Sequence, residues 1–290
     1  MDIKHIVLSG GVNRGIFMLG VLKNLINKDI INIKNIESIY CVSIGSIIGT
    51  LLALKLDWDD IVNYFINKPW DKIEINNILL SIYDNKGILD NEFINMFLLT
   101  FMKYKNIHYD ISLIDFYDIT NIKLNIFSVE LNNFKLVNFS HITHPNLKLL
   151  DAIYMSCSLP IMFKPNYYND SYYIDGCLLN SYPVVNCIND NEISDFNEIM
   201  GIRIIDNNND NKINKGDNIL NFLSFLLNKM VKKIDIGDSK QCEIDLKYEI
   251  KIYCHDKNID DIIELLKNKD FRIKCIEHGI KISDEFIEKL

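Results

Sequence analysis

Three short stretches hold residue types that could act together in catalysis. The first, Ser9-Gly10-Gly11-Val12-Asn13-Arg14-Gly15, contains three of the chain's 12 glycines. It follows the apolar run Ile6-Val7-Leu8 and precedes a segment with helical spacing. A glycine-rich turn at a helix start presents backbone N–H groups and the positive end of the helix dipole, so it favours an anion. That anion is either a phosphate or the oxyanion of an ester under attack. A P-loop would end in Gly-Lys-Ser/Thr, and a dinucleotide fingerprint would read GxGxxG; Gly15-Ile16-Phe17 and Gly10-Gly11-Val12 fit neither. The second stretch, Cys41-Val42-Ser43-Ile44-Gly45, has the small-x-Ser-x-Gly form of a nucleophile elbow, in which a sharp strand-to-helix turn exposes a serine hydroxyl. Read alone, it is better taken as a serine N-cap on a buried helix. The third, Tyr172-Tyr173-Ile174-Asp175-Gly176-Cys177, puts an acid at a strand end, where active-site groups gather in open α/β sheets. Asp-Gly is also an ordinary turn.

The pattern around these stretches alternates strands with helices. Residues 4–9 and 36–42 read as strands, each running into a helix (15–28 and 44–56). Helices are expected over 57–67, over 90–104 with Asp90 as cap, and over 147–158 up to Pro160. Residues 123–130 and 134–139 alternate around Asn132-Asn133 as a hairpin. Further strands are expected at 172–174, 199–205 and 246–254, a turn-rich loop at 206–217, and helices over 219–234, 259–267 and 271–289. Together they predict an α/β layered fold, a mostly parallel central sheet flanked by helices, forming one domain over 1–290.

Composition narrows the function. At 290 residues and 48% hydrophobic, the chain can bury a large core. A net charge of −8 argues against a nucleic-acid partner and against simple adhesion to anionic membranes. Seven scattered cysteines, without a CxxC pair, suggest neither a disulfide framework nor a zinc site and favour a reducing, intracellular compartment. His141 and His144 in HITHP have metal-like spacing but no acidic or cysteine ligands beside them, so no metal is expected there. The opening residues lack a signal-peptide pattern, and no apolar run reaches the roughly 18–20 residues of a transmembrane helix. A cytoplasmic protein with peripheral membrane association is the expectation. The apolar stripe of 219–234, with Lys229, Lys232 and Lys233 near its end, either lies in a membrane interface or covers a sheet, and the second reading is preferred.

The order of the three stretches resembles the patatin-like phospholipase family: glycine turn after the first strand, serine elbow soon after, Asp-Gly much later. Lys86-Gly87-Ile88-Leu89-Asp90, AIYMSCSLPIMFKP (152–165) and YYIDGCLLNSYPV (172–184) resemble further family segments, so the likeness covers about 4–185. Glu277-His278-Gly279 fits the family's C-terminal part more loosely. The resemblance implies a catalytic dyad of Ser43 and Asp175 without histidine, and an oxyanion hole from the N–H groups of Gly10, Gly11 and Val12. Arg14, Gly15, Gly45 and Gly176 would support it. It implies a calcium-independent acyl hydrolase of phospholipase A type, with no cofactor, acting on phospholipid or another acyl lipid during transient membrane contact. Trp70, Phe163 and Tyr167-Tyr168 would flank the mouth of the site. Val12 and Cys41 stand where the family has glycine. They leave a second possibility, a catalytically weak member that binds lipid or a protein. A third, a Ser-His-Asp hydrolase, would need His255 or His278.

Overall fold

The computed structural model describes residues 1–70, 78–206, 212–217, 244–254 and 264–290, with eight positions between 219 and 230. Its centre is an eight-stranded sheet of order β10-β9-β1-β2-β4-β8-β7, with β5 paired to β4. These strands are β1 (His5–Leu8), β2 (Ser38–Val42), β4 (Lys123–Glu130), β5 (Lys135–Phe139), β7 (Asn166–Tyr168), β8 (Ser171–Asp175), β9 (Ile199–Asp206) and β10 (Glu249–Cys254). β10, β9, β1, β2 and β4 run parallel, and β5, β7 and β8 join antiparallel. The mostly parallel sheet expected from the alternation is present, with an antiparallel end.

β1 and β2 are buried along their whole length, so they read as continuous apolar runs. Their alternate side chains feed two cores. Ile6, Leu8, Ile39 and Cys41 enter the larger cluster, while Val7, Tyr40 and Val42 enter a smaller one on the opposite face. The larger cluster is covered by α1 (Gly15–Asn27), α2 (Ile44–Ala53), α3 (Trp58–Asn67), α5 (Asn91–Tyr104), α6 (Leu113–Thr120) and α7 (Leu149–Cys157). α8 (Val184–Asp190) adds Val184 and Cys187 to the smaller one. Between α3 and α5 lies α4 (Ile78–Asn85), and β3 (Gly87–Leu89) pairs in parallel with β6 (Ile161–Phe163). α9 (Lys269–Ile287) closes the chain along α1, where a Cβ on Gly20 or Gly279 would stand 2.1 Å from a carbonyl oxygen of the facing helix.

The hairpin differs in detail from the expected tight turn. Its loop is Leu131–Phe134, because Glu130 accepts hydrogen bonds from the N–H groups of Asn132 (2.9 Å) and Asn133 (3.0 Å) and so fixes a wider turn. Bonds from Ser171 and then Asn133 hold the Glu130 carboxyl down to about 2. Asp90 caps α5 as expected, accepting from Glu92 N at 3.2 Å. The missed elements are short: α4, β3, α6, β6, β7 and α8 span eight residues or fewer. α6 carried a readable signal in Ser112-x-x-Asp115, whose serine caps the Asp115 N–H at 3.2 Å. The expected helix at 259–267 is described only over 264–267, which is helical.

One register decides where the site lies. β4 pairs β2 up to Val42 opposite Phe127, and pairs β8 from Asp175 opposite Ser128. β2 and β8 therefore end head to head at one point of β4. The residue after Val42 is Ser43.

Candidate active site

Ser43 turns the chain from β2 into α2 with φ 54° and ψ −129°, a conformation in which a non-glycine residue is strained. The fold compels this turn. Gly45 passes so close to β1 that a Cβ would stand 2.7 Å from Ser9 O and 2.8 Å from Leu8 O. Cys41 fits where a glycine was expected because its side chain turns into the core and its thiol donates to Asn125 O at 3.3 Å.

The strained residue is held at both ends. Its N–H donates to Ser156 Oγ at 2.8 Å, and Ser156 in turn donates to Phe127 O at 2.6 Å. Its carbonyl accepts from Ser46 N (2.8 Å) and Ser46 Oγ (2.6 Å). Ser156 and Ser46 are fully buried, so water cannot substitute for either. Sequence reasoning did not single out Ser156 as a functional residue. Ser156→Ala orphans the Ser43 N–H, and we expect kcat to fall about tenfold with KM little changed. Steady-state kinetics check this, and an unchanged kcat would refute it.

Ser43 Oγ donates to Asp175 Oδ2 at 2.6 Å. The other carboxylate oxygen accepts from Cys177 N at 2.9 Å, and Asp175 N is tied to Ser158 O at 3.0 Å. Both dyad side chains are at most 4% exposed. Gly176 makes this possible, since a Cβ there would lie 2.4 Å from Phe127 O. His278, a candidate third member, instead meets Phe17 edge-on with ring centroids 5.6 Å apart. His255 lies outside the described residues. Cys157 lies beside the dyad, 3.7 Å from Ser46 Oγ, and burial, then the charge of Asp175, push its thiol well above the ordinary value.

The glycine turn meets the serine from the other side. A Cβ on Gly10 would stand 3.2 Å from Ser43 Cβ and 2.0 Å from Cys177 Sγ; one on Gly15 would stand 2.1 Å from Ile44 Cγ1. Gly10 was expected to offer its N–H to an oxyanion, but that group donates to Ser181 O at 3.0 Å. Gly11 and Val12 open the short 3-10 turn Val12–Arg14, where the first N–H groups have no acceptor within the helix. Val12 reaches this position with φ 53°, which costs a β-branched residue about 1–2 kcal/mol. Arg14 is 4% exposed beneath the turn, a placement that suits a bracing role better than contact with a lipid phosphate.

An apolar cavity of about 990 Å³, open mouth included, runs from Val12, Ser43 and Asp175 between α1, α2, α3 and α5. Trp70 and Phe163, expected at the mouth, line the cavity itself, and Trp70 is stacked on Phe97 with centroids 4.8 Å apart. Tyr167 and Tyr168 stand apart from it: Tyr167 is exposed against Tyr172, and Tyr168 packs near Tyr173. His141 stacks on Tyr117, and His144 bonds Thr143 Oγ1. Leu227 packs against the Val129-Ile174-Leu178 cluster. Ile219, Phe222, Leu226 and Met230 are 45–56% exposed, so the stripe is only partly spent on covering the sheet.

The family model described as patatin-like phospholipase matches residues 6–188. A protein of Invertebrate iridescent virus 6 named "Probable lipid hydrolase 463L" is 29% identical over 191 residues, 62% of this chain and 62% of its own length. "Uncharacterized protein R571" of Acanthamoeba polyphaga mimivirus is 26% identical over 297 residues, covering 100% of this chain and 95% of that one. The crystal structure of VipD from Legionella pneumophila shares the fold with TM-score 0.57 at 16% identity, covering 100% of this chain and 67% of that one.

Proposed function

Because the chain belongs to the patatin-like phospholipase family, we propose that it is a calcium-independent lipid acyl hydrolase of phospholipase A type. The observation that carries this reading is the 2.6 Å hydrogen bond from Ser43 Oγ to Asp175 Oδ2 at one end of an apolar cavity. As Ser43 Oγ attacks the ester carbonyl, Asp175 takes its proton, and the N–H groups of Gly11 and Val12 receive the developing oxyanion. The tetrahedral intermediate collapses, Asp175 returns the proton to the departing alkoxide, and an acyl-serine remains. Water then gives its proton to Asp175 and attacks the acyl carbonyl, releasing fatty acid and restoring the hydroxyl. Protein groups supply base, nucleophile and oxyanion donors, so no step calls for calcium.

The acyl chain would lie in the cavity, and the lipid would arrive from a membrane during transient contact. The exposed Ile219, Phe222, Leu226 and Met230, with Lys229 beside them, suit such contact. Among the described residues no helix is long and apolar enough to cross a membrane. A cytoplasmic location with peripheral membrane association and no nucleic-acid partner accords with this reading and with the net charge of −8.

The test is fatty-acid release from mixed phospholipid vesicles with excess chelator present. Sustained release supports the proposal. Background release would favour the weak, lipid-binding alternative, for which the strained Val12 and the committed Gly10 N–H are the structural grounds.

A further inference from the structure

The part of the chain that matches the family ends at residue 188, yet the cavity's wall does not. Leu265, Leu266 and Arg272 line it together with Phe65, Ile16 and Leu19. Arg272 is 5% exposed, and its guanidinium accounts for this placement. It donates to Ile66 O through Nε (3.2 Å) and Nη2 (2.9 Å), and to Leu265 O (2.8 Å) and Leu266 O (3.0 Å) through Nη1. Ile66 lies in the last turn of α3, and Leu265 and Leu266 lie in the turn 264–267. Carbonyls at a helix C-terminus lack intrahelical donors and carry partial negative charge, so one buried cation satisfies two such ends at once. That joint fixes where the two leucines sit. α9, which carries Arg272, is fixed in turn by its close packing on α1 and by Asn24 Nδ2 bonds to Ser283 Oγ (2.7 Å) and Asp284 Oδ1 (2.8 Å).

We infer that Leu265 and Leu266, clamped by Arg272, set the acyl-chain selectivity of the site, a role that rests on the acyl-hydrolase reading. Two large apolar side chains bound the space an acyl chain must fill. Packed interiors respond to the gain or loss of single methylene groups. Selectivity then resides in a C-terminal segment beyond the family-matched region.

The experiment compares wild type with Leu265→Ala, Leu266→Ala and Leu266→Phe on p-nitrophenyl butyrate, octanoate, laurate and palmitate. The ratio of kcat/KM for palmitate over octanoate is expected to rise on the order of tenfold in the alanine variants and to fall comparably in the phenylalanine variant. Opposite shifts from shrinking and enlarging one side chain cannot come from general destabilisation. The same ratio in all four proteins overturns the inference while leaving the hydrolase reading intact. In parallel, octanoate and palmitate are titrated against the Ser43→Ala protein with and without each wall substitution. If wild type cleaves no ester but these affinities shift with the wall variants, the hydrolase reading fails and the wall assignment holds. If neither rates nor affinities move, the assignment is wrong.

Discussion

Replacing Ser43 with alanine, or Asp175 with asparagine, is expected to lower lipid hydrolysis by roughly 10⁴-fold or more, as loss of a nucleophile or its base does in serine hydrolases. Asp175→Asn is the sharper test, because it keeps the shape of the side chain. The amide oxygen still accepts from Cys177 N, and the backbone tie to Ser158 O is untouched. What changes is the atom facing Ser43 Oγ: a carboxylate oxygen that could take a proton becomes an NH₂ group, which cannot accept one. The attacking hydroxyl is left without a base. The double variant should be no worse than either single one, because the two residues act as one unit and their effects do not add. Thermal melts of all three should stay near wild type while fatty-acid release drops to background. Retention of half the activity in either single variant would reject the dyad.

Ser43 and Asp175 could be singled out in the sequence because one follows and the other ends an apolar strand, and because the order of the stretches that hold them resembles the patatin-like phospholipase family. Their meeting depends on Val42 opposite Phe127 and Asp175 opposite Ser128, a register that no local pattern encodes. Ser156 escaped for a related reason. Its contact with Ser43 spans 113 positions, and the sequence around it does not distinguish it from Ser158. Gly10 shows the converse case. Its type marks a close approach correctly, while the fate of its N–H depends on Ser181, brought in from beyond β8. Arg272 could not be read at all: a lone arginine in a helix reads as a surface charge until two helix ends converge on it. Val12 reads as a departure from the glycine pattern, and in the fold it stands in the left-handed region, at φ 53°.

Gly10→Ala is expected to cost on the order of 100-fold in kcat, because added bulk would push the oxyanion turn away from the serine, and misplacement by about 1 Å is worth that much. The new methyl meets Cys177 Sγ at 2.0 Å and Ser43 Cβ at 3.2 Å, so something must shift. The sulfur is the worse obstacle, which makes the effect separable. Cys177→Ala removes it while keeping the backbone N–H that holds Asp175, and by itself should change kcat less than about threefold. In the double variant the methyl gains the space the sulfur leaves. Much of the lost rate should then return, giving a coupling energy of about 1–2 kcal/mol between the two sites. The remaining deficit would reflect the contact with Ser43 Cβ. If the double variant is as slow as Gly10→Ala alone, the cost of a side chain at this position lies not at the sulfur but in the 3.2 Å approach to Ser43 Cβ.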